Sequence, residues 1–277
     1  MAYKDIVVQL DAAAPAARYQ IAADLAARSG GRVTGVYLKT TLINQFDSIE
    51  ALGYMPPGEL DRLIKDHNQG QDEDAAKAAA ALNKVAQALK ADSDCRVIGG
   101  DTPADLIAEA RHADLVVLGP PSPAPAYNVH ASPVDIALGG GGPVLIVPAQ
   151  GDRIKIGARA LVAWNGSREA ARALRDALPL LAEGAVLEVR IAHPKDGAPD
   201  TAPLRRHLEQ HGLKVNIETV VEEGQSISEW LVREAVQTDC DLIVMGLYGH
   251  ARLQEFVLGG VSRQMPHGSP LPLLISH

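Results

Sequence analysis

The chain has 277 residues, which allows one or two domains, each long enough to bury a core without a staple. A formal net charge of −8 argues against general affinity for nucleic acid, which needs clustered Lys and Arg. Two cysteines among 277 residues argue against a disulfide framework or a thiolate metal site, and 4% aromatic residues suit helices packed on aliphatic strands.

The chain enters an apolar run almost at once, Ile6-Val-Val-Gln-Leu-Asp11, with no basic leader or long apolar segment before it. A cytoplasmic protein is expected, and no run reaches the roughly 18 apolar residues of a membrane span. An Ala-rich helical pattern follows from Pro15 to Ala27, then a second strand. Residues Thr40 to Asn68 hold Phe46, Tyr54, Met55 and the Pro56-Pro57-Gly58 turn, an excursion that reads either as packed structure or as a lid or partner surface. The run Asp114-Leu-Val-Val-Leu-Gly119 empties into Pro120-Pro-Ser-Pro-Ala-Pro, whose prolines lack amide donors and make a poor cradle for an anion. Gly139 to Gly142 then reads as a flexible connector before the strand Pro143 to Val147.

Beyond Pro148 to Ile156 the pattern repeats, so two domains are expected, 1–149 and 156–277. Ala160-Leu-Val-Ala-Trp-Asn165 matches the opening strand, Cys240-Asp-Leu-Ile-Val-Met-Gly246 matches Ala113 to Gly119, and Pro272 to Ser276 matches Pro143 to Val147. The first half is longer by roughly 30 residues between its second and third strands. In the second half, strands are expected near 158–164, 185–192, 214–220, 241–245 and 271–275, with helices near 168–182, 201–211, 226–237 and 252–265. Apolar strands alternating with helices imply a parallel sheet buried on both faces. Ligands of such sheets sit beyond the carboxyl ends of the strands, where Asn165, Ile191 and Gly246 fall.

The richest local signal follows the fourth strand of the second half. Gly246-Leu-Tyr-Gly249 is followed, after nine residues, by Gly259-Gly260-Val261-Ser262. Spaced glycines let backbone amides approach an anion without a Cβ in the way. His250 and Arg252 adjoin the glycines and suit phosphate oxygens, the arginine through its planar fork. The alternative is that the glycines only shape a strand-to-helix turn and close packing.

These residues, together with Val162-Ala-Trp-Asn-Gly-Ser-Arg-Glu169, resemble the universal stress protein family, in its tandem form with two such domains. The resemblance covers essentially the whole chain. It implies two doubly wound parallel-sheet domains of the adenine nucleotide alpha hydrolase type, related by an internal pseudo-twofold and meeting along their last strands as a pseudo-dimer. It also implies ATP or a related adenine nucleotide as ligand, with Mg accompanying it. Carried over, Asn165 would face the adenosine, Ile191 the adenine, and Gly246, Gly249, Gly259, Gly260, Val261 and Ser262 the phosphates. Two positions depart from the family pattern: Asn165 replaces the commoner Asp, and Gly260 stands where a Ser or Thr is usual.

Other chemistry is weaker. His207 and His211 share a helix face at metal-binding spacing, but the motif lacks the Glu of a zinc protease and an obvious third ligand. Neither a nucleophile elbow nor a P-loop lysine is present. No catalytic residue is expected, and slow ATP hydrolysis is the most the sequence supports. Two functions stay open: regulatory binding of adenine nucleotide, or a nucleotide-free interaction protein whose paired domains and insertion contact an unidentified protein or a second copy.

Overall fold

A computed structural model describes residues 2–13, 16–42, 56–121, 132–149, 155–192, 200–220, 226–247 and 265–277. The elements run β1 (Asp5–Leu10), α1 (Ala16–Ser29), β2 (Arg32–Lys39), α2 (Pro57–Leu89), β3 (Asp92–Gly99), α3 (Pro103–Ala110), β4 (Leu115–Leu118), α4 (Pro133–Gly140) and β5 (Val144–Ile146). The second half repeats the order with β6 (Arg159–Ala163), α5 (Arg168–Ala177), β7 (Val186–Ala192), α6 (Ala202–Gln210), β8 (Lys214–Val220), α7 (Ile227–Gln237), β9 (Leu242–Gly246) and β10 (Leu273–Ser276).

All ten strands form one sheet in the order β3-β2-β1-β4-β5-β10-β9-β6-β7-β8, a sequence that reads the same way from either edge once each half is numbered separately. Every neighbouring pair is parallel except β5 and β10, where Leu274 faces Leu145 in antiparallel register. The strands alternate their side chains between two apolar layers. Ile6, Val8 and Leu10 join α1 and α2 on one face, while Val7 joins α3 and α4 on the other. Each layer continues from the first half into the second, so the sheet is doubly wound throughout.

The helix starts follow local chemistry. Ser132 and Ser167 each accept an amide hydrogen bond, from Asp135 and Ala170. Thr102 and Asp105 form a reciprocal cap on α3, with Pro103 in the first turn, where its missing N–H costs little. The expected helix over 168–182 ends earlier: Pro179 cannot donate the next helical bond, and Leu178–Leu180 tightens into a 3-10 turn.

The stretch expected as a connector, Gly139 to Gly142, is instead the end of α4 and its left-handed cap at Gly141, φ 78°. A Cβ on Gly139 would lie 2.9 Å from Ile107 Cδ1, and one on Gly140 2.8 Å from Ala110 Cβ. Those glycines let α3 and α4 pack closely. The end of the first-half excursion, from Pro57, is helix: α2 has 33 residues where its counterpart α6 has 9. Ala75, Ala78, Leu82 and Ala86 bury its second half, whereas Ile64 near its start is 40% exposed. Residues 43–55 of the excursion lie outside the described residues.

Candidate functional site

The carboxyl ends of β6, β7 and β9 form the candidate cleft of the second half. Ala163 pairs with Arg190 on one side and Met245 on the other. One step along their strands come Ile191 and Gly246, and two steps on comes Asn165. The structure therefore brings these three residues to the same end of adjacent strands. Gly249, His250, Arg252, Gly259, Gly260, Val261 and Ser262 lie outside the described residues.

Each of the three has a local reason for its identity. Asn165 Oδ1 accepts the Ser167 N–H at 3.0 Å, closing a turn in which Gly166 takes φ 73°. Ser167 then caps α5. Ile191 is buried in β7. Gly246 faces the first turn of α5, and a Cβ there would come within 2.6 Å of Ala170 N and Glu169 O. Close helix–strand packing alone thus demands glycine at 246. Beside it, the exposed Arg168 guanidinium holds the Glu169 carboxyl below the usual carboxylate range.

The corresponding place in the first half is filled by a side chain. Arg18 Nη1 lies 2.7 Å from Asp11 Oδ2 and donates to the Gln9 carbonyl at 3.2 Å. A Cβ on Gly119, at the end of β4, would lie 3.0 Å from Arg18 Cζ and closer still to Nη2. The guanidinium therefore lies across the glycine. Tyr19 meets the backbone of Asp11, accepting its N–H at 3.2 Å, and burial pushes its phenol up to about 12.

One function of the repeated Asp-Leu-hydrophobic motif is invisible as a sequence pattern. The Asp241 carboxylate accepts three backbone N–H groups, from Gly157 and Ala158 at 2.8 Å and Arg159 at 3.2 Å. Asp114 does the same for Lys4 at 2.7 Å and Asp5 at 3.0 Å. Each aspartate anchors the first strand of its half against the fourth.

A second feature the pattern hides lies on β7. Glu188 and Arg190, each 3% exposed, pair at 3.3 Å, and Arg159, Asn216 and Glu234 complete the cluster at 2.8, 3.0 and 3.1 Å. Alternating polar residues on a strand read as a solvated face, yet here α7 covers them.

The remaining candidates are separate from the cleft. His207 and His211 are exposed and meet edge to face with ring centroids 4.9 Å apart. Among the described residues no group of three or more His, Cys, Asp or Glu is placed to hold a metal ion. Cys95 and Cys240 are free thiols, both pushed up by burial. Trp164 is half-buried against the apolar layer. No described helix is long and apolar enough to cross a membrane.

Residues 158–277 match the model of the Universal stress protein family. A universal stress protein from Archaeoglobus fulgidus is similar in structure over 98% of this chain and 95% of its own, with a TM-score of 0.71 at 15% identity. A protein of Pseudomonas aeruginosa described as functionally unknown is similar over 99% of this chain and 92% of its own, with a TM-score of 0.56 at 17% identity. No curated protein matches the chain. The likenesses extend the fold over both halves, and the sequence of residues 158–277 is similar to the universal stress protein family.

Proposed function

We propose that the chain is a stress-response protein of the cytoplasm that binds adenine nucleotide, ATP in the first instance, through its second unit, 156–277. The observation that supports this most is the meeting of Asn165, Ile191 and Gly246 at the ends of neighbouring strands, just ahead of the glycine-spaced segment 246–262. Asn165 would bond a ribose hydroxyl or base edge through its carboxamide N–H, since its oxygen is engaged with Ser167. Amides at Gly249, Gly259 and Gly260, with His250, Arg252, Val261 and Ser262 beside them, would hold the phosphates, together with any Mg they carry. The role is regulation or sensing. Turnover would be slow at most.

A second reading is favoured by one observation. Gly246 is demanded by packing against α5, so its presence needs no ligand. On that reading the chain is a nucleotide-free interaction protein, with α2 and the paired halves as its contact surfaces for a partner or a second copy. Mass spectrometry of small molecules released from freshly purified protein separates the two. Adenine nucleotide at near-stoichiometric yield supports the first. Its absence, together with failure of added ATP to raise the melting temperature, contradicts it.

A further inference from the structure

The two halves differ in the placement of Arg18 and Arg172. By the internal repeat, Arg172 lies as far beyond Asn165 as Arg18 lies beyond Asp11. Arg172 turns away from its cleft, pairing with Asp176 at 2.8 Å and donating to the Gly141 carbonyl at 3.1 Å. Arg18 turns in. Its side chain is 5% exposed, pinned to Asp11 and to the Gln9 carbonyl, and laid across Gly119. Asp11 Oδ1 and Arg18 Nε are the buried side-chain atoms without a hydrogen-bond partner among the described residues. A pair satisfied on one side only is held less tightly than a fully bonded one.

The neighbouring strand end is closed in the same way. Gln71 of α2 accepts the Thr40 N–H at 2.7 Å and donates to the Thr40 carbonyl at 2.8 Å. Asp101 accepts the Thr41 N–H at 2.7 Å. Backbone groups past β2 that could read a base edge are thus occupied by the protein's own side chains.

We propose that Arg18 is an internal latch: its guanidinium occupies the first-half cleft and withholds the Asp11 carboxylate from a nucleoside-sized ligand bearing vicinal hydroxyls. A free carboxylate at a strand's carboxyl end accepts from such hydroxyls. The proline-rich continuation after Gly119 offers few amides, so the ligand class is a nucleoside rather than a triphosphate. Only the choice of probe rests on the function proposed above, because the readout is a change in stoichiometry relative to the wild type.

The test is calorimetric titration of adenosine into the full-length wild type, Arg18→Ala, Gly119→Ala and the double variant Arg18→Ala with Asp11→Ala. Asp11 is 37% exposed on its side chain, so removing Arg18 leaves its charge partly solvated and the chain able to fold. In Gly119→Ala the new methyl group drives the guanidinium out without removing either charge. Both single variants are expected to bind one more equivalent of adenosine than the wild type, and the double variant is expected to lose that gain. Unchanged stoichiometry in folded single variants, or a gain that survives loss of the Asp11 carboxylate, overturns the latch. Failure of both single variants to fold also overturns it, since the pair would then be a structural pin.

Discussion

Gly246 and Ala170 stand so close that a methyl group on the glycine would lie 2.6 Å from the Ala170 nitrogen. The opposing atoms are backbone in the first turn of α5, which cannot yield as a side-chain tip can. Gly246→Ala should therefore destabilise the chain by about 2 to 3 kcal/mol. Gly119→Ala, whose neighbour is the end of the Arg18 side chain rather than backbone, should cost less, about 1 kcal/mol. Urea unfolding of the two variants checks the contrast, and equal losses would contradict it.

Asp241→Ala removes the acceptor of three backbone N–H groups at the entry to β6, at a residue only 8% exposed. A loss of about 3 kcal/mol is expected. Asp114→Ala strips two donors in an exposed setting, where water replaces the carboxylate, and should cost about 1 kcal/mol. Denaturation midpoints measured side by side would expose the asymmetry.

Arg190→Met leaves the buried Glu188 with Arg159 as its remaining cation and takes the Arg190 contact from Glu234, and should cost about 3 kcal/mol. Replacing Arg190 and Glu188 together by Met and Leu should recover most of that loss. A double variant less stable than Arg190→Met would contradict the account of the cluster.

Alkaline stability should depend on Tyr19. Its folded phenol titrates near 12 against 10.0 for the ordinary group. The folded chain therefore keeps a proton the unfolded chain has lost. The contribution is fully present below pH 10 and is lost as pH rises through 12, by about 2 to 3 kcal/mol in all. Tyr19→Phe should flatten the fall in stability across that window. Tyr3, also raised by burial, stays in both proteins and cancels from the comparison.

Much of the fold was legible because the internal repeat fixed the element order twice. The strands expected at 185–192 and 214–220 lie at Val186–Ala192 and Lys214–Val220. The start of α2 was not legible as helix, because its acidic first turns and Gly70 dilute the apolar period, which sharpens only from Ala75 onward. At the site, Asn165, Ile191 and Gly246 were legible as strand ends, since position along a strand is local information. The roles of Arg18, Asp241 and Glu188 were not. Each depends on a partner brought near by the sheet order: Gly119 for Arg18, Gly157 for Asp241 and Glu234 on α7 for the Glu188–Arg190 pair. An arginine in an Ala-rich helix carries no local mark of that.

The central claim is tested most directly by calorimetric titration of ATP into the wild type and a Gly249→Val variant, a position chosen because Gly246 is bound up with folding. The account predicts one equivalent bound by the wild type and at least a tenfold loss of affinity in a variant that remains folded. No measurable binding to the wild type, or undiminished binding to the variant, would contradict it.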